Sequence, residues 1–551
     1  TVGRWVQIDL TGGIAERASD SPLTGKRRSF LNILNRLRAI GRDRNIDGVL
    51  LKVGGSGVGY AQAWELRQQI AELSKAGKTT VSFLTRPTFR DAYIASATDQ
   101  TLLLPAEPYE PEGIRVNRNN YAEALSKIGV QAEFVRIGEY KSAPEAYIRR
   151  TPSEPALQQT RAYVDALFEN VVDGIAEGRS IDRAQVLRAI DNIPLLPDRA
   201  ARRGFVDRVA YEDEVRPYLA KHYGANQILR SDYDPTPGRT RGWSGGPEVA
   251  VVYVDGSIIR GQSTEAPLIG ELLTGSNTLT RLLDRLARDR QTKAVVLRVD
   301  SPGGSAVASD LIYRALRRLA QQKPVVASMG DVAASGGYYV AAGADTIFAT
   351  PNTLTGSIGI YAGKFSIRDL TDMLGINRTS IQRGDRSEPF DLFEPWTDEQ
   401  RERVSRSIHY LYRMFLHQVS QTRPLSTDEI DKVARGHIWP GEAARNHKLV
   451  DRMGGLVDAI HYAERQANLK PGSAKLRSYP KRTSFLNLPF ASIGVVAEFY
   501  EAVDGTVARS GGAGSILKHL FGQVDAAILR PLLFEQEEPL MLPPEPIGID
   551  N

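Results

Sequence analysis

Along this chain short apolar runs of strand length alternate with longer stretches of helical period. In the second half, residues 249–254, 295–299, 325–327 and 346–349 are β-rich runs that predict strands. Between them, residues 279–287 and 311–320 carry apolar side chains three and four apart, the spacing of one helix face. Each half then ends in a long helical stretch, at 154–178 and at 398–422. Strands alternating with helices need crossover connections, which are right-handed and leave the strands largely parallel. The fold class is therefore α/β.

The pattern occurs twice. Asp47-Gly48-Val49-Leu50-Leu51-Lys52-Val53 matches Lys293-Ala294-Val295-Val296-Leu297-Arg298-Val299 at an offset of 246 residues. The same offset pairs Asp9 with Asp255, Arg42-Asp43-Arg44 with Arg288-Asp289-Arg290, Asp99 with Asp345, Pro105 with Pro351 and Gly138 with Gly384. An offset that recurs across some 130 positions marks a tandem duplication. It divides the chain into a first repeat (1–231), a linker rich in Pro, Gly and Ser (232–247), a second repeat (248–470) and a tail (471–551). The repeat signal fades beyond about Pro471, and Gly511-Gly512-Ala513-Gly514 with a Pro-rich acidic end predicts a loosely docked or disordered tail.

Composition narrows the chemistry. With 551 residues, 42% hydrophobic and 25% charged, the chain is globular and too long for one core. Its net charge of +5 comes from 70 basic and 65 acidic residues without a dense basic run, which argues against a nucleic-acid partner. The absence of cysteine excludes disulfides, thiolate nucleophiles and Cys-based metal sites. No segment reaches the roughly 18 apolar residues of a spanning helix; the best candidate, 486–500, is broken by Pro489 and carries Glu498. The chain begins with Thr1 directly before Trp5-Val6-Gln7-Ile8, and reads as a fragment or a processed form whose upstream segment, a signal or an anchor, is missing.

Candidate chemistry lies where the two copies differ. Asp300-Ser301-Pro302-Gly303-Gly304 follows a predicted strand, and its glycines let backbone N–H groups face a ligand, as an oxyanion hole requires. An ordinary turn has the same composition, but the offset puts Gly57 and Val58 opposite Gly303 and Gly304, so the pair belongs to one copy. Ser335 opens a small, apolar helical run, Ala334-Ser335-Gly336-Gly337-Tyr338-Tyr339, with the Gly336 N–H beside it. A helix-capping serine is the ordinary alternative, yet the first copy holds Phe89 at that place. A serine nucleophile needs a base. None of the 7 histidines is near the glycine motifs in sequence, although a spatial partner among them stays open. A lysine can serve if burial pulls its pKa below the free value of about 10.4. Lys141, in Gly138-Glu139-Tyr140-Lys141-Ser142-Ala143-Pro144, ends the β-like run 134–137 and has Tyr140, Ala143 and Pro144 to shed water from it. Its counterpart stretch, Gly384-Asp385-Arg386-Ser387-Glu388-Pro389, has no lysine. Each copy thus holds half a site. Ser357, between Gly356 and Ile358-Gly359, either orients Lys141 or Ser335 or is a plain turn serine. The glycines at 511–514 lack the Lys-Ser/Thr pair of a phosphate loop and read as a flexible loop.

The order Tyr140-Lys141-Ser142-Ala143, Asp300-Ser301-Pro302-Gly303-Gly304, Ala334-Ser335-Gly336-Gly337-Tyr338-Tyr339, Leu354-Thr355-Gly356-Ser357-Ile358-Gly359 resembles the signal peptide peptidase A family, also called protease IV, in its long duplicated form over residues 1–470. The resemblance implies two tandem Clp/crotonase-like domains of ββα repeats with helical extensions. It implies a serine endopeptidase with a Ser–Lys dyad, acting on signal peptides left in the membrane or on other membrane-associated peptides. It further implies a bowl-shaped homo-oligomer, a tetramer being favoured, at the bacterial inner membrane with its catalytic part on the periplasmic side. No metal or organic cofactor is expected. Carried over, Ser335 resembles the nucleophile and Lys141 the general base, while the N–H groups of Gly336 and of Gly303 or Gly304 resemble the oxyanion hole. Two other readings are a crotonase-like acyl-CoA hydratase or thioesterase, which needs placed carboxylates, and a membrane scaffold with a vestigial site.

Overall fold

The computed structural model describes residues 3–480, except 18, 22–24, 230–232, 234–245, 266–271, 382 and 384–389, together with 540–541 and 549–550. Most of the expected linker, the stretch opposite Lys141 and the glycines at 511–514 lie outside the described residues.

Each repeat builds a largely parallel sheet. The first runs in the order Arg208–Val209, Gln100–Leu103, Thr79–Arg86, Gly48–Gly54, Arg4–Asp9, Gln227–Leu229. In the second, Val325–Ala334, Thr292–Ser301, Glu248–Asp255 and Lys475–Tyr479 lie side by side and parallel. Thr346–Ala349 joins the other side of Val325–Ala334 and pairs in turn with Arg452–Met453. The central strands have both faces covered, so their sequences read as unbroken apolar runs rather than alternations; Val249 to Val254 are all buried.

The duplication is visible as repeated physics. Asp43 and Asp289 each end a helix, Phe30–Arg42 and Ser276–Arg288, and each accepts a backbone N–H two residues on. Lys78 Nζ and Lys323 Nζ both donate to the carbonyls of those turns. Asp99 and Asp345 both accept the N–H that opens the neighbouring strand, at Thr80 (2.8 Å) and Val325 (3.0 Å).

One described strand of the second sheet lies beyond residue 470. Lys475–Tyr479 is the edge strand of the second sheet, paired with Glu248–Asp255 as Gln227–Leu229 is paired with Arg4–Asp9. Its register is slipped four residues from the common offset, and it carries Lys475 and Arg477 at the edge of the sheet.

Two features fuse the halves. Val6, Val49 and Leu66 of the first repeat share one apolar core with Val251, Val296 and Leu456 of the second. Within it, Arg298 is fully buried and its guanidinium takes both oxygens of Glu16 (2.6 and 3.0 Å) while also meeting Glu65 (2.8 Å). A third, mixed sheet then pairs Gln131–Arg136 of the first repeat antiparallel to Tyr361–Ser366 of the second, from Tyr361↔Arg136 to Ser366↔Gln131. That pairing brings the chain just before Lys141 to the second repeat. Among the described residues no helix is long and apolar enough to cross a membrane.

Candidate active site

The strand Val325–Ala334 ends by delivering Ser335 at φ 55° and ψ −114°. A residue with a Cβ occupies that region only when its surroundings impose it, and such positions concentrate at functional sites. Two backbone bonds hold it: Ser335 N–H donates to Gly356 O (2.7 Å), and Ser335 O accepts from Tyr339 N–H (2.8 Å), opening the helix Gly336–Ala341. The Ser335 hydroxyl makes no capping bond, so its presence here is not that of an ordinary helix cap. Gly336 has to be glycine. A Cβ there would lie 2.6 Å from Ser309 Oγ and 3.1 Å from both Gly303 Cα and Gly304 N. The Ser301–Gly304 turn is thus packed directly against the serine's helix. Within that turn the Gly303 N–H already donates to Ser301 Oγ (3.1 Å).

Lys141 is fully buried, and its Nζ lies 2.7 Å from Ser335 Oγ, 3.0 Å from Ser357 O and 3.1 Å from Ser357 Oγ. Burial holds its pKa well below the ordinary lysine value, with no carboxylate opposing it. The second repeat closes around it so tightly that a Cβ on Gly436 would come within 2.4 Å of Lys141 N. Ser357, left open between two roles by the sequence, sits against the lysine at φ 51°, its N–H donating to His437 O (2.7 Å). His437 is the histidine next to this cluster, but its ring faces away: Nδ1 lies 2.7 Å from Ile438 O and the ring stacks on Trp439 at 3.8 Å. The carboxylates near the glycine turn are likewise engaged elsewhere. Asp300 accepts Val332 N–H (2.9 Å) and Asp331 accepts Ala61 N–H (2.7 Å), whereas a hydratase needs such groups facing its substrate.

Several supporting residues were not legible as site residues. Arg136 donates to Lys141 O (3.0 Å) and to the buried Glu145 (2.7 Å). Burial pushes Glu145 up, but hydrogen bonds from Ser153 and Arg136 outweigh it and hold the carboxyl below its ordinary range. Gln159 Nε2 donates to Tyr140 O (2.9 Å) and Ser142 Oγ (3.2 Å). Glutamine and arginine on amphipathic segments look like surface residues in a sequence; in the fold Gln159 is buried and Arg136 half-buried against the lysine's loop.

Two Clp-like α/β repeats, with a serine, a lysine amine and glycine N–H groups at their seam, define a protein of the serine-protease class. The model of peptidase family S49 matches residues 74–226 and 317–470, the first span holding Lys141 and the second Ser335, and the Clp protease model matches 274–356. The chain is 31% identical to "Serine protease SPPA, chloroplastic" of Arabidopsis thaliana, over 78% of this chain and 64% of that one. It is 29% identical to "Protease 4" of Salmonella typhi over 84% of this chain and 78% of the relative. Against "Protease 4" of Haemophilus influenzae the identity is 30%, over 74% and 67%. The chain thus spans from about two thirds to three quarters of these relatives' length. It belongs to peptidase family S49, a family of serine proteases.

Proposed function

We propose that this protein is an endopeptidase that works through a Ser335–Lys141 dyad. The observation that carries the reading is the 2.7 Å contact between a fully buried lysine amine and a strained serine hydroxyl from the other repeat. A neutral amine has two N–H donors and one lone pair. With its donors on Ser357 O and Oγ, the lone pair of Lys141 Nζ is left to accept the Ser335 proton. The alkoxide attacks the peptide carbonyl, and Lys141 passes the proton to the leaving amine. It then takes a proton from the water that releases the acyl-enzyme. The developing oxyanion is met by the N–H groups of Gly336 and Gly304, since that of Gly303 is already taken by Ser301. Ser357 orients the amine.

The substrate is a peptide bound as an extended strand beside Gly304–Ser305 and Tyr361. This mode is supported by Leu540–Met541 of the same chain, whose backbone pairs antiparallel with Gly304 and Ser305 on one side and with Tyr361 on the other. A groove that pairs on both sides with the backbone of Leu540–Met541 suits a peptide in extended conformation. Cleaved signal peptides or other membrane-associated peptides, degraded by a homo-oligomer on the periplasmic side of a bacterial inner membrane, fit that chemistry.

The test is peptide mapping after fluorophosphonate treatment. The expected adduct is on Ser335, with hydrolysis of an apolar fluorogenic peptide lost in Ser335→Ala. An adduct on another serine, or a Ser335→Ala variant that retains hydrolysis, contradicts the proposal.

A further inference from the structure

Lys141 is buried without a counter-ion, so no charge holds its amine in place, and desolvation favours any movement that returns it to water. Its position has to come from the backbone that carries it. The loop is tied to the second repeat at its beginning, where Tyr140 N–H donates to Arg435 O (3.2 Å). Before it, Ile137 N–H donates to Ile360 O (2.9 Å), and beyond Tyr140 a further tie comes from one side chain. Gln159, on the helix Glu154–Arg179, is buried, and both N–H donors and the oxygen of its amide are engaged, on both repeats. Nε2 donates to Tyr140 O (2.9 Å) and Ser142 Oγ (3.2 Å), the residues on either side of the lysine. Oε1 accepts Ile438 N–H (3.0 Å) from the second repeat.

Ile438 leads directly to the nucleophile. It pairs with Gly356 in the sheet, Gly356 O accepts the Ser335 N–H, and the adjacent His437 O accepts the Ser357 N–H. The geometry points to Gln159 as a positioning residue for the reaction: one buried amide spans from the loop of the base to the strands that hold Ser335 and Ser357, and fixes the Lys141–Ser335 separation. The Arg136–Glu145 pair, which also touches this loop, lies wholly in the first repeat and cannot set a distance between repeats. A buried amide with three good bonds is also costly to mis-satisfy, so the setting has one geometry rather than several.

This inference rests on the dyad reading, and the test separates the two. Gln159→Leu keeps the volume and removes all three bonds. The expected result is a kcat lower by about 10–100-fold, the usual penalty for displacing a reacting group by an ångström or so, with KM within about twofold. The acidic limb of the kcat profile moves to higher pH, because a loosened loop lets water reach Nζ and returns the lysine toward its free pKa. Ser142→Ala, which removes a single partner, shifts the limb in the same direction by less and covers the case in which Gln159→Leu does not fold. A merely structural glutamine would lower the melting temperature and leave kcat and the limb where they are; that outcome, or an unmoved limb in Ser142→Ala, overturns the assignment. If Lys141→Ala leaves wild-type hydrolysis intact, the dyad itself has failed and Gln159 has nothing to position.

Discussion

Lys141→Met is expected to abolish peptide hydrolysis and, at neutral pH, to raise the melting temperature. Folding takes the lysine into a site where its pKa lies well below the ordinary value. Between that depressed value and about 10.4, the unfolded chain holds a proton on this lysine that the native state does not. Each pH unit of that gap costs about 1.4 kcal/mol of stability, a cost largest at low pH that fades as the pH approaches 10.4. Methionine has a similar length and no charge to desolvate. It forfeits the hydrogen bonds to Ser357 and Ser335, which offsets part of the gain and leaves a net stabilisation on the order of 1 kcal/mol. The rate falls by about 10²–10⁴-fold, the usual contribution of a general base. Differential scanning calorimetry at pH 7 and pH 9.5 checks the sign: the advantage of the variant over wild type shrinks at the higher pH. A variant that is less stable than wild type at pH 7 would mean that the lysine is charged and compensated in the folded protein.

Arg298→Met is expected to have the opposite effect on stability and a large one. Burial works against the guanidinium's charge, but Glu16 and Glu65 outweigh it and hold Arg298 ionised. Burial pushes Glu65 up to about 7 even with Arg298 beside it, and the neighbouring Glu16 adds to the push. Removing the one cation leaves two buried carboxyls facing each other between the repeats, and breaking such a buried pair costs about 3–5 kcal/mol. The deficit depends on pH in a defined direction. Without Arg298 the pKa of Glu65 rises further, and protonation relieves the repulsion, so the loss relative to wild type is larger at pH 8 than at pH 5. Thermal melts of both proteins at the two values measure it. Equal deficits at both would place the defect in lost packing rather than in stranded charge.

The contrast between these two charges shows what the sequence could and could not reveal. The duplication was legible because burial on both faces of a parallel sheet keeps its strands apolar in both copies, as in Val49–Val53 and Val295–Val299, and because turn aspartates such as Asp43 and Asp289 do the same work twice. Ser335 and Lys141 stood out because each is absent from the other copy. What remained hidden depends on pairing between the copies. The match of Gln131–Arg136 with Tyr361–Ser366 has no signal in either segment alone, and without it neither Gln159 nor Ser357 can be placed beside the lysine. Arg298 sits opposite Lys52 in the repeat, yet Lys52 reaches the surface carboxylate of Glu212 while Arg298 is sealed between the halves. Both are cations at the same place in the repeat, and the fold around them differs.

The central claim is that a neutral, buried Lys141 activates Ser335. The most direct measurement is the rate of fluorophosphonate labelling of Ser335 in the full chain as a function of pH, in wild type and in Lys141→Ala. The wild-type rate is expected to rise with pH along a single titration whose midpoint lies well below that of a free lysine, and Lys141→Ala to label slowly with no such limb. Equal labelling of the two proteins across the range would contradict it.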